Sequence, residues 1–292
     1  MKRIYLRIKN SVLFFLCCFI ALSCHVGSHV QAPTYVHVDS FHFVQNPLAG
    51  SKISTHQVTE VWAYYNDVLI GAFDLPANIP VITNGNAAGR LSLSPGIVVD
   101  GTNNLLGVYP FYQPDTFSFV PQPGIVITHN PVTEFYTDAK FYAISHFNYS
   151  VVAGTSFVLS GAGVAMTLET DPTMGKIGAV NFSMTRNDTV SDNISVDSIL
   201  IPLNVPAYIE FDYKSSVHFY VGMDSYLPLF TAPTQFLAGI NPSDHWQKFY
   251  LSVADLAAQN QASYYYFHVK ASLPAGQQSG VFEIANVQLV TF

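Results

Sequence analysis

The sequence predicts an all-β protein built from two consecutive sandwiches. Three observations lead there. Apolar and polar residues alternate with period two, not 3.6, from about residue 35 to the end. Proline and glycine recur 17 and 18 times, often enough to interrupt any long helix. Aromatic residues make up 14 % of the chain and charged ones only 11 %, a balance that supplies apolar surface for packed cores and excludes disorder.

The first segment is an address rather than part of the fold. Residues 2–9, KRIYLRIK, are basic, and residues 11–23 form an apolar run too short to span ~30 Å of hydrocarbon, so 1–23 read as a signal peptide. All three cysteines, Cys17, Cys18 and Cys24, fall here or just beyond. The stretch Ala21-Leu22-Ser23-Cys24 resembles the lipobox of bacterial lipoproteins. That resemblance implies that Cys24 becomes an acylated N-terminus, anchoring the protein to a membrane through residues 24–34 as a tether, while Cys17 and Cys18 leave with the signal. The tether lacks the acidic cluster that resembles a surface-export signal, which favours the periplasmic face of the outer membrane. The lipid-anchored chain then folds without an internal disulfide.

With Lys2, Arg3, Arg7 and Lys9 removed, eight basic side chains face nineteen acidic ones, a net charge of −11. No basic patch is left to neutralise phosphates, so nucleic acid is not an expected partner. His25, His29, His37 and His42 match no common metal-ligand spacing, and no metal or cofactor is expected.

Residues 35–135 read as a small sandwich of immunoglobulin-like size. Val61, Ala63 and Tyr65 alternate with Trp62 and Tyr64, and Asn66-Asp67 is a hairpin turn signal. Shorter strands follow near 91–94, 106–112, 117–120 and 124–128. Residues 136–292 carry longer strands, among them SFVLSGAGVAMTLET and AYIEFDYKSSVHFYVGM, and suit a jelly roll. FDYKSSVHFYVG reads as a second hairpin with Lys214-Ser215-Ser216 near its turn. One helical turn is expected, at 253–261.

Two resemblances rest on particular residues. VWAYYNDVLIGAFDLPANIPVI, LSLSPGIVVDGTN and YPFY are similar to the N-terminal half of a two-domain family of Bacteroidota lipoproteins. YIEFDYKSSVHFYVGM, HWQKFYLSV and FEIANVQLV resemble the second half of those proteins, and through it the galactose-binding-like jelly rolls common among carbohydrate-binding modules. Such jelly rolls often carry a calcium-ligating Asp in the last strand; here Ile284-Ala285-Asn286-Val287 puts alanine at that position, so the calcium site is not expected. Asn148-Tyr149-Ser150 and three further motifs match the N-glycosylation pattern, and Asp188-Thr189-Val190 and Asp197-Ser198-Ile199 resemble sites glycosylated on exported Bacteroidota proteins.

Catalytic motifs are missing: no Gly-x-Ser-x-Gly, no His-Glu-x-x-His, no Gly-x-x-x-x-Gly-Lys. Glu210 and Asp212 share a strand face about 7 Å apart, a separation within the range glycosidases use. A solvated outer face, with Ile209, Phe211 and Tyr213 inward, explains them without chemistry. Trp246 reads as core. Trp62 and Tyr64 offer one possible sugar platform, and SYYYFHVK offers a better one. There Tyr264, Tyr266 and His268 alternate outward, to be joined by His218 or Tyr220 from the neighbouring run. The reading is a non-enzymatic, envelope-anchored protein recognising glycan or surface polymer, with a structural part of an adhesin, fimbrial or secretion assembly as the alternative and a polysaccharide hydrolase third.

Overall fold

A computed structural model describes residues 32–51, 53–82, 87–102, 106–147, 156–161, 163–228 and 232–292. The signal segment, Cys24, most of the tether and Asn148-Tyr149-Ser150 lie outside them. The chain is all-β. Its strands are β1 (Thr34–Val38), β2 (His42–Phe43), β3 (Glu60–Tyr65), β4 (Val68–Asp74), β5 (Ala77–Val81), β6 (Gly89–Val98), β7 (Leu106–Val108), β8 (Asp115–Phe119), β9 (Val126–Thr128), β10 (Val132–Thr133) and β11 (Lys140–Ala143). They continue as β12 (Phe157–Leu159), β13 (Thr167–Asp171), β14 (Gly175–Ser183), β15 (Val190–Ser195), β16 (Ala207–Ser215), β17 (Phe219–Tyr226), β18 (Gln235–Ile240), β19 (Ser243–Ser252), β20 (Tyr264–Ser272) and β21 (Ser279–Thr291). The expected helical turn is α1 (Ala254–Asn260), whose Leu256 and Ala257 are buried.

In the N-terminal sandwich, β1 pairs antiparallel with β5 and parallel with β9, and a second sheet runs β4-β3-β6-β7 with β8 also on β6. Alternate side chains meet between the sheets: Val36 and Val38, Ile79 and Val81, Val61 and Ala63, Leu91 and Leu93. The β3–β4 turn is the one the sequence predicts. Asn66 and Asp67 both have positive φ, 48° and 65°, as a two-residue hairpin loop matching strand twist requires. Asn66 Oδ1 also accepts the Arg90 backbone N–H at 2.9 Å. Asn66→Val, which puts a β-branched residue at positive φ and removes that acceptor, should cost about 1–3 kcal/mol in urea unfolding, while Asn66→Gly should stay near wild type.

The C-terminal unit is a two-sheet sandwich of antiparallel neighbours. One sheet runs β13-β14-β21-β16-β19, with β11 on the distal half of β21; the other runs β12-β15-β20-β17-β18. Ile209, Phe211, Phe249, Leu251 and Ile284 of the first meet Phe219, Met223, Tyr265, Phe267 and Val269 of the second. This differs from the expected hairpin at FDYKSSVHFYVG, because β16 and β17 belong to opposite sheets. The chain crosses the sandwich there, and Ser215 Oγ holds the crossing by donating to the Val217 carbonyl at 2.7 Å. SFVLSGAGVAMTLET divides the same way into β12 and β13. Two alternating runs with a short polar link look alike in either topology. The distant partners, β21 for β16 and β20 for β17, decide it.

A third core joins the units. Tyr109, Phe111, Tyr112 and Phe135 of the N-terminal unit pack on Tyr250 and Val290, with Tyr208, Phe141 and Phe292 at the margin. Ring centroids lie 4.7 Å apart for Tyr109–Tyr112, 4.9 Å for Tyr109–Tyr250 and 4.8 Å for Phe135–Phe141. β19 is an edge strand, and this seam covers its edge: the Lys248 backbone N–H donates to Gln57 Oε1 at 2.9 Å, and Asp100 Oδ1 accepts from the Ser252 N–H at 2.6 Å.

Candidate functional site

The seam decides which jelly-roll surface is available. The outer face of β16, β19 and β21 is occupied, which corrects the solvated reading of Glu210 and Asp212. Alternation puts both on the outer side as expected, but the N-terminal unit sits over them, and they are 0 % and 1 % exposed. Glu210 pairs with Lys248 at 3.0 Å, accepts from Gln288 Nε2 at 3.1 Å and accepts the Tyr109 hydroxyl. Burial works against the Lys248 ammonium, yet Glu210 and Asp212 more than offset it and hold its pKa above the ordinary lysine value. Burial drives the Tyr109 and Tyr112 hydroxyls the same way, so both stay protonated as donors. Asp212 Oδ2 accepts from Thr55 Oγ1 and Asn286 Nδ2, each at 2.7 Å.

One further correction concerns Trp246. Trp246 is absent from the jelly-roll core; it is half-buried on the outer side of β19, with Lys214 Nζ 6.0 Å from its ring centroid. It precedes the strand's buried stretch, which begins only at Phe249 on the core side. Trp62 and Tyr64 are half-buried on β3, and a Cβ at Gly96 would come within 3.1 Å of Trp62 Cδ1. Ala285 is fully buried, and Asn286 takes positive φ (53°) at a bulge. Among the described residues no three His, Cys, Asp or Glu side chains converge to hold a metal.

The other sheet keeps its outer face open. Register places Tyr226 beside Tyr264, Asp224 beside Tyr266, Gly222 beside His268 and Tyr220 beside Lys270. Across β15 and β18, Asp192 lies beside Lys270, Phe236 beside Gly222 and Gly239 beside Tyr220. Tyr226 and Tyr264 stack with centroids 4.3 Å apart and planes 11° from parallel, and Tyr266 meets Tyr264 edge-on at 5.7 Å. Tyr220 and Phe236 meet edge-on at 6.1 Å. Gly239 makes room for this: a Cβ there would fall 3.1 Å from Tyr220 Cε1. Tyr220 is 52 % exposed, Phe236 41 % and Tyr226 37 %, so ring surface faces solvent along the strip. From Tyr264 to Lys270 the strip runs about 20 Å.

Polar groups form its floor. His268, expected outward, does point to this side but is 3 % exposed, which removes it from any exposed row. Its Nδ1 sits 3.1 Å from Asp224 Oδ1, its Nε2 bonds Asp192, and Phe236 covers it edge-on at 5.6 Å. Lys270 Nζ donates to Asp192 Oδ2 at 2.8 Å. Burial lowers the His268 pKa, but Asp224 and Asp192 outweigh it and raise the net value. Because the folded value lies above the unfolded ~6.5, the stabilisation is complete below that pH and is lost as pH rises through the folded pKa. The Tm gap between wild type and His268→Gln should therefore narrow from about pH 6 to about pH 9; a constant gap contradicts the charged sandwich.

The structure thus brings Tyr264, Tyr266 and Tyr220 onto one face, with His268 as buried support. His218 is exposed just before β17, beyond the Lys270 end of the strip. Tyr226 and Asp224 were missed, although both share the parity of Tyr220 on β17. Phe236 carried no legible signal, since the register shift between Val221 and Gly222 is what turns it to this side.

No family model matches the sequence, and no curated protein matches it. Solved structures similar to the chain include the family 11 carbohydrate-binding module of a Clostridium thermocellum cellulosomal cellulase, at TM-score 0.36 and 16 % identity, covering 51 % of this chain and 94 % of that one. A family 29 carbohydrate-binding module complexed with mannohexaose follows at TM-score 0.33 and 13 % identity, covering 52 % and 92 %. The enzymatically active domain of bacteriophage CBA120 tailspike protein 4 gives TM-score 0.37 and 12 % identity over 57 % of this chain. The chain spans about a quarter of that tailspike domain, 26 %. Similarities of this size carry no functional argument.

Proposed function

We propose that the protein binds a neutral glycan on the open face of its jelly roll, without turning it over, while Cys24 anchors it in a bacterial outer membrane. One observation carries the glycan reading. The chain covers one jelly-roll sheet with its own N-terminal unit and leaves the other sheet lined with exposed tyrosine and phenylalanine rings beside fixed polar groups. Sugar rings stack their C–H faces on such aromatics, and hydroxyls bond neighbouring carboxylates and ammonium groups. Asp192 and Asp224 balance His268 and Lys270, so the strip offers no net charge to a uronate or sulfate chain. Binding rather than hydrolysis is supported by the burial of Glu210 and Asp212, the carboxylate pair the sequence brings forward.

A glycan array probed with the detergent-extracted full chain tests this. Retention on neutral polysaccharides, with acidic ones passing, is the expected result; no retention on any glycan contradicts it.

A further inference from the structure

The N-terminal sandwich has an end remote from the seam, and strand registers define it. The start of β1 lies beside the end of β5 (Thr34 with Val81) and the start of β9 (Tyr35 with Val126). The Asn66-Asp67 turn follows Tyr65, opposite Leu91, and β8 ends at Phe119, opposite Gly89. At the other end of the same unit, Ile97 enters the seam core. The remote end is apolar. Val68, Leu69, Ile82, Val120, Ile125 and Val126 are each between 46 % and 66 % exposed there. Its charged side chains among the described residues, Asp67 and Arg90, pair with each other.

This is also where the chain enters the fold. The Pro33 carbonyl accepts the Gly124 N–H at 3.0 Å, and Thr34 Oγ1 donates to the Gln122 carbonyl at 2.8 Å. Position 24 can therefore lie no more than about 30 Å from this end, even with the nine intervening peptide steps fully extended. A large exposed apolar cluster marks an interaction surface. The segment joined to this one begins, on the anchoring reading, at Cys24.

We propose that this apolar tip docks on a lipid bilayer. Its aliphatic side chains enter the boundary between headgroups and acyl chains, and the molecule stands with the jelly roll distal to the membrane. The anchoring reading of Cys24 supplies proximity; the tip supplies orientation. Since the chain from Cys24 onward is acidic, with formal charge −11, docking is apolar and needs no anionic lipid.

Tryptophan fluorescence of the full chain, reconstituted in phosphatidylcholine vesicles with brominated acyl chains, tests this. The added emission of Ile125→Trp should be quenched, that of Tyr220→Trp should not, and neither salt nor anionic lipid should change the result. Adding Ile82→Asp and Val126→Asp to Ile125→Trp should abolish the quenching while the protein still floats with the vesicles. Flotation with no quenching at position 125, or quenching that survives both aspartates, overturns docking and leaves the anchor standing. A chain that does not float overturns both.

Discussion

Glu210→Ala should destabilise the fold by about 3–5 kcal/mol, the largest single effect expected in this chain. The substitution strands a Lys248 ammonium that is 1 % exposed, and it takes the acceptor from the Tyr109 hydroxyl and Gln288 amide. The Tyr109 hydroxyl and Gln288 amide then bear their desolvation cost without that acceptor, and Lys248 keeps only Thr55 Oγ1 at 3.3 Å and the neighbouring Asp212 charge. Stability should return in large part when the charge is removed as well, in Glu210→Leu with Lys248→Met, because apolar side chains can fill a seam already lined by Tyr109, Tyr112 and Tyr250. Guanidinium unfolding of wild type and the two variants measures this. A loss below about 1 kcal/mol for Glu210→Ala, the value typical of an exposed pair, contradicts a closed seam.

The second large effect is on binding. Tyr226→Ala and Tyr264→Ala should each weaken glycan affinity about tenfold, with the double variant falling short of the product. The two rings are one object, stacked 4.3 Å apart on adjacent strands, so losing either lets its partner tilt away from a sugar face. Tyr220→Ala should act independently at the other end of the strip, because it leans on Phe236 and Gly239 instead. Stability should change little in all three, since these rings lie outside the cores. Calorimetric titration with the best array ligand reads the affinities. Equal affinities across wild type and variants would remove the platform.

How much of this was legible in the sequence depends on the range of the physics involved. Period-two alternation and the Asn66-Asp67 turn are local, and they located β3 and β4 without help. The parity of Tyr264 and Tyr266 was equally readable, as was the face of β16 that carries Glu210 and Asp212. What covers a face is not local. Glu210 looked solvated because nothing near it in sequence announces Tyr109, a hundred and one residues away. His268 looked exposed because Asp192 and Asp224, its partners, come from strands that only the sheet order brings beside β20. The aromatic run YPFY at 109–112 carries a family resemblance, but nothing local in it shows that it forms an interface.

The measurement that tests the central claim most directly is affinity electrophoresis of wild type and the Tyr226→Ala, Tyr264→Ala double variant in gels cast with neutral polysaccharide. Wild type should be retarded by at least one such polymer, and the double variant should run as it does in a gel without it. Equal retardation of both proteins, or free migration of wild type through every polysaccharide, contradicts recognition at the open face.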